Sequence, residues 1–285
     1  MAKYNKFIGL GIAGNFALHL AQAGEAKEFA QIMTEDEAAP KGMFPFFLPK
    51  QENQDEEIQT NAKEILSTYP LGADYIRLPK KNVNVQSEPE VALICDLTYA
   101  LGRLTKITPK YFGAYNDCSI RVDGTKKISD KKNWGLESKG FSNNIIKIDK
   151  FTADGIMDNY SICSYLKRDG NTYQYGEDVE LTGYSYFHEK LLDWMLNQIN
   201  TQDNCDPLEP LSDYIMACGN PQRAIISIGA TRYTEFGEKT FLQAGDESIV
   251  IVYDRTKVTR DEILASVKTS RYNNENMSVL TQKVI

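Results

Sequence analysis

The chain has 285 residues, 42% hydrophobic and 25% charged, the balance of a globular protein with a large core. Its 39 acidic against 32 basic residues give a net charge of -7, which argues against a nucleic-acid surface, because phosphate contacts need clustered Lys and Arg. Five cysteines, odd in number and without a Cys-x-x-Cys pair, suggest neither a disulfide framework nor a zinc site and fit a reducing cytoplasm; no apolar run reaches the roughly 18 residues of a membrane span.

At the N-terminus, Lys3 and Lys6 precede an apolar stretch ending in Ala21-Gln22-Ala23, the outline of a signal peptide. Asn15 and His19 interrupt it and Gly9, Gly11 and Gly14 stud it, so a folded segment is expected. Gly9-Leu10-Gly11-Ile12-Ala13-Gly14 also fits the dinucleotide fingerprint, which requires a second strand with an acidic residue about 20 residues further on. Here Lys27 to Glu37 continues a helical pattern that dissolves into charge. The glycines are therefore read as a tight strand-to-helix turn presenting Asn15 and His19 at a cleft, with a nucleotide-binding oxidoreductase as the rival reading.

Residues 51 to 64 are acidic and polar, an exposed linker or the first turns of a helix. Strand patterns follow at Ala73 to Leu78, Val91 to Tyr99, Phe112 to Ile120, Ile145 to Phe151, Ser161 to Lys167, Ile225 to Ile228 and Glu247 to Tyr253, with Arg168-Asp169-Gly170-Asn171 as a hairpin turn. Phe187, Leu191, Trp194, Met195 and Ile199 recur at helical spacing, and Thr259 with Glu262 forms a capping-box start for another helix. The lysine pairs 126–127 and 131–132 read as a solvated turn, and the stretch from Arg271 as a surface extension or a partly disordered tail. The pattern divides the chain into a small front region, 1–72, a β-rich body, 73–254, and a C-terminal extension, 255–285.

The chemistry concentrates at Glu88-Pro89-Glu90, which opens the apolar run Val91 to Cys95. Residues two apart in a strand share a face, so the two carboxylates project side by side. Burying them costs on the order of several kcal/mol each unless a cation intervenes. An all-oxygen set suits Mg²⁺; the plainer reading is a solvated strand end carrying two surface glutamates.

Glu88-Pro89-Glu90, Asn116-Asp117-Cys118-Ser119-Ile120-Arg121, and Trp134 followed by Lys139-Gly140-Phe141 resemble the central blocks of the fumarylacetoacetate hydrolase family: Glu-x-Glu, Asn-Asp-x-Ser-x-Arg, then Trp and Lys-Gly-Phe. Asn15-Phe16-Ala17-Leu18-His19 is similar to its Asn-Tyr-x-x-His block, Phe46 to Lys50 to its Phe-x-Lys-Pro region, and Gly229-Ala230-Thr231 and Phe241 to Asp246 to its Gly-Thr turn and closing strand. The resemblance implies an α+β fold with a mixed β-roll body and a small N-terminal α/β piece, assembled as a homodimer. It implies that Glu88, Glu90 and Asp117 ligate Mg²⁺ or Mn²⁺, that Lys139 holds and polarises the substrate, that His19 is the general base, and that Asn15, Arg121, Gln174 and Thr231 bind substrate. The activity it implies is hydrolysis of a carbon-carbon bond, or decarboxylation or tautomerisation, in a small 1,3-dicarbonyl carboxylic acid. A member without catalysis, serving binding or assembly, is the alternative.

Two positions depart from the family pattern. Hydrolytic members carry a glutamate three residues after the histidine, where this chain has Gln22, and either Ala230 or Thr231 stands for the family threonine. On a helix from residue 15 to 33, Gln22 shares the face of His19, while Glu25 lies roughly 240° around and out of reach. A neutral amide supports imidazole basicity less than a carboxylate does, so enolate chemistry is expected to survive better than hydrolysis.

Overall fold

The computed structural model describes all residues except Met1, Ala2, Glu28, Ala30, Met33, Glu35, 51–63, Asn273 and Asn274. Its strands are β1 Ile8–Ala13, β2 Gly42–Phe47, β3 Leu71–Gly72, β4 Tyr75–Ile76, β5 Asn84–Gln86, β6 Pro89–Ala100, β7 Arg103–Asn116, β8 Ser119–Arg121, β9 Lys139–Phe141, β10 Ile146–Lys147, β11 Tyr160–Arg168, β12 Asn171–Glu180, β13 Arg223–Ser227, β14 Glu247–Asp254 and β15 Met277–Val284. The helices are α1 His19–Gln22, α2 Ser129–Lys132, α3 His188–Thr201, α4 Leu211–Ala217, α5 Glu235–Lys239 and α6 Arg260–Thr269. The class is α+β, mostly sheet, as the sequence predicts.

One sheet runs β2-β1-β13-β6-β7-β9-β3, with β10 attached to β7; a second runs β12-β11-β14-β15-β4; β5 and β8 form a two-stranded ribbon. The long β6–β7 hairpin is the spine. Val91, Leu93 and Cys95 of β6 are fully buried and share a core cluster with Ile162 of β11 and Val250 and Val252 of β14, so the two sheets face each other across apolar side chains. Helix α3 covers this core with Leu191, Met195 and Ile199, the helical spacing seen in the sequence. Asp169 and Gly170 both take positive φ at the β11–β12 turn, and Thr259 and Glu262 close a capping box on α6.

Three expectations change, and a fourth falls outside the described residues. Among the described residues, the helix expected over 15–33 forms only at His19–Gln22, because Gly24 takes a φ of +74° and turns the chain back, Glu25 N–H donating to the Leu20 carbonyl at 2.9 Å. Residues 145–151 contribute strand only at Ile146–Lys147. The stretch after Arg271 supplies β15, held between β14 and β4 with Met277, Leu280 and Val284 buried. The linker expected at 51–64 lies outside the described residues except for Glu64, which opens a 3-10 helix.

The glycine run also means something other than a turn. Gly9 and Gly11 lie within β1, which pairs parallel with β13 and antiparallel with β2. A Cβ on Gly9 would sit 2.3 Å from the Phe46 ring, and one on Gly11 2.4 Å from the Phe44 ring. Their spacing of two gives the aromatic rings of β2 room to lie across β1. Only Gly14, at φ +77°, serves the turn.

Candidate active site

Glu88 precedes β6 and Glu90 is its second residue, while the end of β7 pairs with that start, Pro89 opposite Asn116 and Glu90 opposite Tyr115. Asp117 N–H donates to the Glu88 carbonyl at 2.9 Å. Asn116, fully buried, ties the corner: its Oδ1 accepts from Ser87 Oγ and Glu88 N, and its Nδ2 donates to Ser248 Oγ. These bonds bring Glu88, Glu90 and Asp117 together so that one carboxylate oxygen from each lies within 4.8 Å of the others. β9 lies beside β7, Gly140 opposite Asn116, which sets Lys139 Nζ 2.6 Å from Asp117 Oδ1. A Cβ on Gly140 would collide with the Gln282 amide, so glycine lets β15 pack against this strand.

Two further cations occupy the cluster. Arg121, at the end of β8, reaches Glu88 Oε1 at 2.7 Å, Glu25 Oε1 at 2.8 Å and Gln86 Oε1 at 2.7 Å. Lys132, the last residue of α2, places Nζ 2.5 Å from Glu88 Oε2 and 2.7 Å from Asp117 Oδ2. The latter contact is an ion pair without hydrogen-bond alignment, so Asp117 Oδ2 makes no directed bond. Lys131 and Lys132 are each 3% exposed, which corrects the reading of this pair as a solvated turn. Both site ammoniums lie over rings of β2: Lys132 Nζ is 5.2 Å from the centre of Phe44 and Lys139 Nζ 5.7 Å from that of Phe46.

The electrostatics follow from burial. Burial alone would raise Glu88, but the charges of Lys132 and Arg121 hold its carboxyl below the ordinary range. Glu90 is in no ion pair among the described residues, and burial with the Asp117 charge outweighs the more distant Lys132 and holds it well above that range; it accepts from Gly229 N–H at 3.1 Å. Burial also lowers Lys139 and outweighs the pull of Asp117. Lys132 is held up by Asp117 and Glu88 against a desolvation that would lower it.

His19, at the start of α1, is buried and places Nδ1 2.9 Å from the Thr231 carbonyl. A carbonyl only accepts, so Nδ1 carries the proton and Nε2 keeps its lone pair. Burial lowers the imidazole pKa, the nearby Glu88 charge opposing. Gln22 binds the backbone of Tyr233 through both amide ends, Nε2 to the carbonyl at 3.1 Å and Oε1 from the N–H at 2.9 Å. The Tyr233 ring in turn packs on His19 at 5.2 Å. Glu25, expected out of reach, lines the same cavity as His19 because the chain reverses at Gly24. That cavity, bounded by His19, Glu25, Glu88, Glu90, Lys132 and Ala230, is about 10 Å³, room for about one water.

The other expected contacts are placed as follows. Asn15 is buried and satisfied by backbone, Nδ2 donating to the Tyr186 and Ile228 carbonyls and Oδ1 accepting from Tyr186 N. Thr231 Oγ1 turns to the Pro89 carbonyl, leaving Ala230 at the cavity wall. Gln174 is exposed on β12 and donates to the Gly176 carbonyl. Glu25 and Lys132 were missed in sequence, since a carboxylate after a helical stretch and a lysine in a basic pair carry no local mark of burial.

The donor set is chemically suited to a divalent ion: three buried carboxylates from two adjacent chain segments. The chain belongs to a family of unknown function (DUF5718), whose model matches residues 25–284. No curated protein matches the sequence. Among solved structures it is similar to Cg1458 bound to an inhibitor, at 16% identity and a TM-score of 0.54 over 98% of this chain and 76% of that one. It is also similar to 2-keto-3-deoxy-D-arabinonate dehydratase complexed with magnesium and 2,5-dioxopentanoate, at 13% and 0.51 over 98% and 73%. A third is 5-carboxymethyl-2-hydroxymuconate delta-isomerase from Mycobacterium smegmatis, at 14% and 0.51 over 98% and 78%. At such identities the likeness is one of fold, and the fold is of the fumarylacetoacetate hydrolase type.

Proposed function

We propose that this member of the DUF5718 family is a divalent-metal enzyme acting on a small carboxylic acid with two carbonyls in 1,3 relation, by decarboxylation or tautomerisation ahead of carbon-carbon bond hydrolysis. The observation that supports it is the convergence of Glu88, Glu90 and Asp117 within 4.8 Å. Those three would hold Mg²⁺ or Mn²⁺, which when bound supplies Lewis-acid polarisation of a carbonyl. Lys139 puts positive charge beside Asp117, suited to balancing an enolate oxygen. His19 Nε2, unprotonated at neutral pH, can accept a proton from carbon or water.

Enolate chemistry comes first because His19 Nδ1 is bonded to a backbone carbonyl, which orients the ring without the charge a carboxylate would lend an imidazolium. Asn15 and Thr231 would shape the site through the Tyr186 and Pro89 backbone, and Arg121 through Glu88. The family-type assembly would be a homodimer, and free thiols suit a cytoplasmic setting.

A panel of acylpyruvates, oxaloacetate and related β-keto acids, followed by enol absorbance with and without Mg²⁺, tests the reading. Mg²⁺-dependent loss of absorbance is expected, with oxaloacetate turning over faster than an acylpyruvate. Thermal stabilisation by Mg²⁺ without turnover would instead favour a binding or assembly protein, the second reading, which the cavity of about 10 Å³ favours. No effect of Mg²⁺ on stability or turnover would refute the metal enzyme.

A further inference from the structure

The carboxylate oxygens an ion would need are already taken by the chain's own cations. Glu88 Oε1 faces Arg121 and its Oε2 faces Lys132; Asp117 Oδ2 faces Lys132 and its Oδ1 faces Lys139, all within 2.7 Å. Three carboxylates, Glu25, Glu88 and Asp117, are paired with four basic side chains of the chain itself, Arg121, Lys131, Lys132 and Lys139. Among the described residues, Lys132 is the cation that bridges two members of the triad, Glu88 and Asp117.

Its position is built rather than incidental. The ammonium lies over the Phe44 ring, that ring lies across β1 because Gly11 has no Cβ, and the next residue, Asn133, is pinned by its Nδ2 to the Phe46, Ile65 and Thr68 carbonyls. An ammonium this deeply buried is stable only while paired. A divalent ion and this ammonium would repel each other strongly if both held Glu88 and Asp117.

We propose that Lys132 is a tethered cation that holds the acidic triad in place of a divalent ion, so that ion binding and withdrawal of Lys132 are one coupled event. This rests on the triad being a metal site, and it adds that the chain's own lysine competes with the ion for Glu88 and Asp117.

The test titrates the full chain with MgCl₂ and MnCl₂ by calorimetry and thermal shift, comparing the parent with Lys132→Met, whose unbranched side chain still covers Phe44. The variant is expected to bind at least about tenfold more tightly, the parent gaining affinity from neither ion to that extent. In parallel, lysines of the parent are acetylated with and without Mn²⁺ and mapped by mass spectrometry, a readout that stands if the variant fails to fold. Lys132 is expected to be protected without the ion and to label faster with it. Equal affinity in both proteins, with Lys132 protected throughout, would overturn the tether and leave the metal site standing. No affinity in either, and no change in labelling, would overturn both.

Discussion

The cluster at the mouth of β6 and the rim where α6 meets β12 and β14 both join carboxylates to arginines, yet burial makes them different objects. At the rim, Arg260 is 75% exposed and pairs with Asp178 at 3.1 Å, while α6 rests on buried Ile263 and Val267 and its own capping box. In the cluster, the Arg121 side chain is 10% exposed and bonds Glu25, Glu88 and Gln86 at once. Rim pairs are screened by water and decorate a helix that its apolar face already holds. Cluster pairs are mutually obligatory, since each charge is desolvated and tolerable only beside its partners.

Arg121→Met breaks that obligation and should have the largest effect, about 3–5 kcal/mol, because it takes from two buried carboxylates a shared partner and, among the described residues, leaves Glu88 only Lys132 and Glu25 only Lys131, the latter at 3.6 Å. Urea unfolding measures it; a loss near that of a surface pair would put cluster and rim on the same footing. Gly11→Ala should follow at about 1–3 kcal/mol, the usual cost of overpacking, as its Cβ would sit 2.4 Å from the Phe44 ring beneath Lys132. A thermal melt of this variant close to that of the parent would show that the ring has room to move.

Thr259→Ala, at the rim, should cost about 1 kcal/mol by removing the capping box, and should leave Mg²⁺ binding unchanged. A change in ion affinity here would mean that the two regions are coupled. The finest contrast is in pH. Burial lowers His19 below the ordinary imidazole value of 6.5, so the unfolded chain binds the proton first. The parent's advantage over His19→Gln should therefore be complete above that value and shrink as the pH falls below it. Parallel stability curves from pH 8 to 5 would show that His19 is free to protonate in the fold.

The elements legible in the sequence are those whose signals are local. Thr259 to Glu262, the Asp169-Gly170 turn and the 187–199 helical stripe each encode hydrogen bonds or a buried face within a few residues, and each forms. Failures came where long-range pairing decides. Met277 to Val284 reads as polar because Ser278 and Gln282 alternate with its apolar residues, yet Ser278 Oγ accepts from Ala114 N, and Gln282 Nε2 donates to Tyr75 O. Gly9 and Gly11 mimic a phosphate loop, though their reason lies some thirty residues away in the rings of β2.

By itself the sequence determined the strand that becomes the β6 spine, because strand patterning is written locally, while the α+β class and the grouping of Glu88, Glu90, Asp117 and Lys139 were legible through the order of blocks that resembles the fumarylacetoacetate hydrolase family. Only the tertiary structure decided that Gly24 returns Glu25 to the site, that Gln22 clamps Tyr233 rather than supporting His19, and that Lys132 is buried between Glu88 and Asp117. The physical reason is that the burial of a charge depends on which distant partners satisfy it, and no spacing along the chain records that pairing.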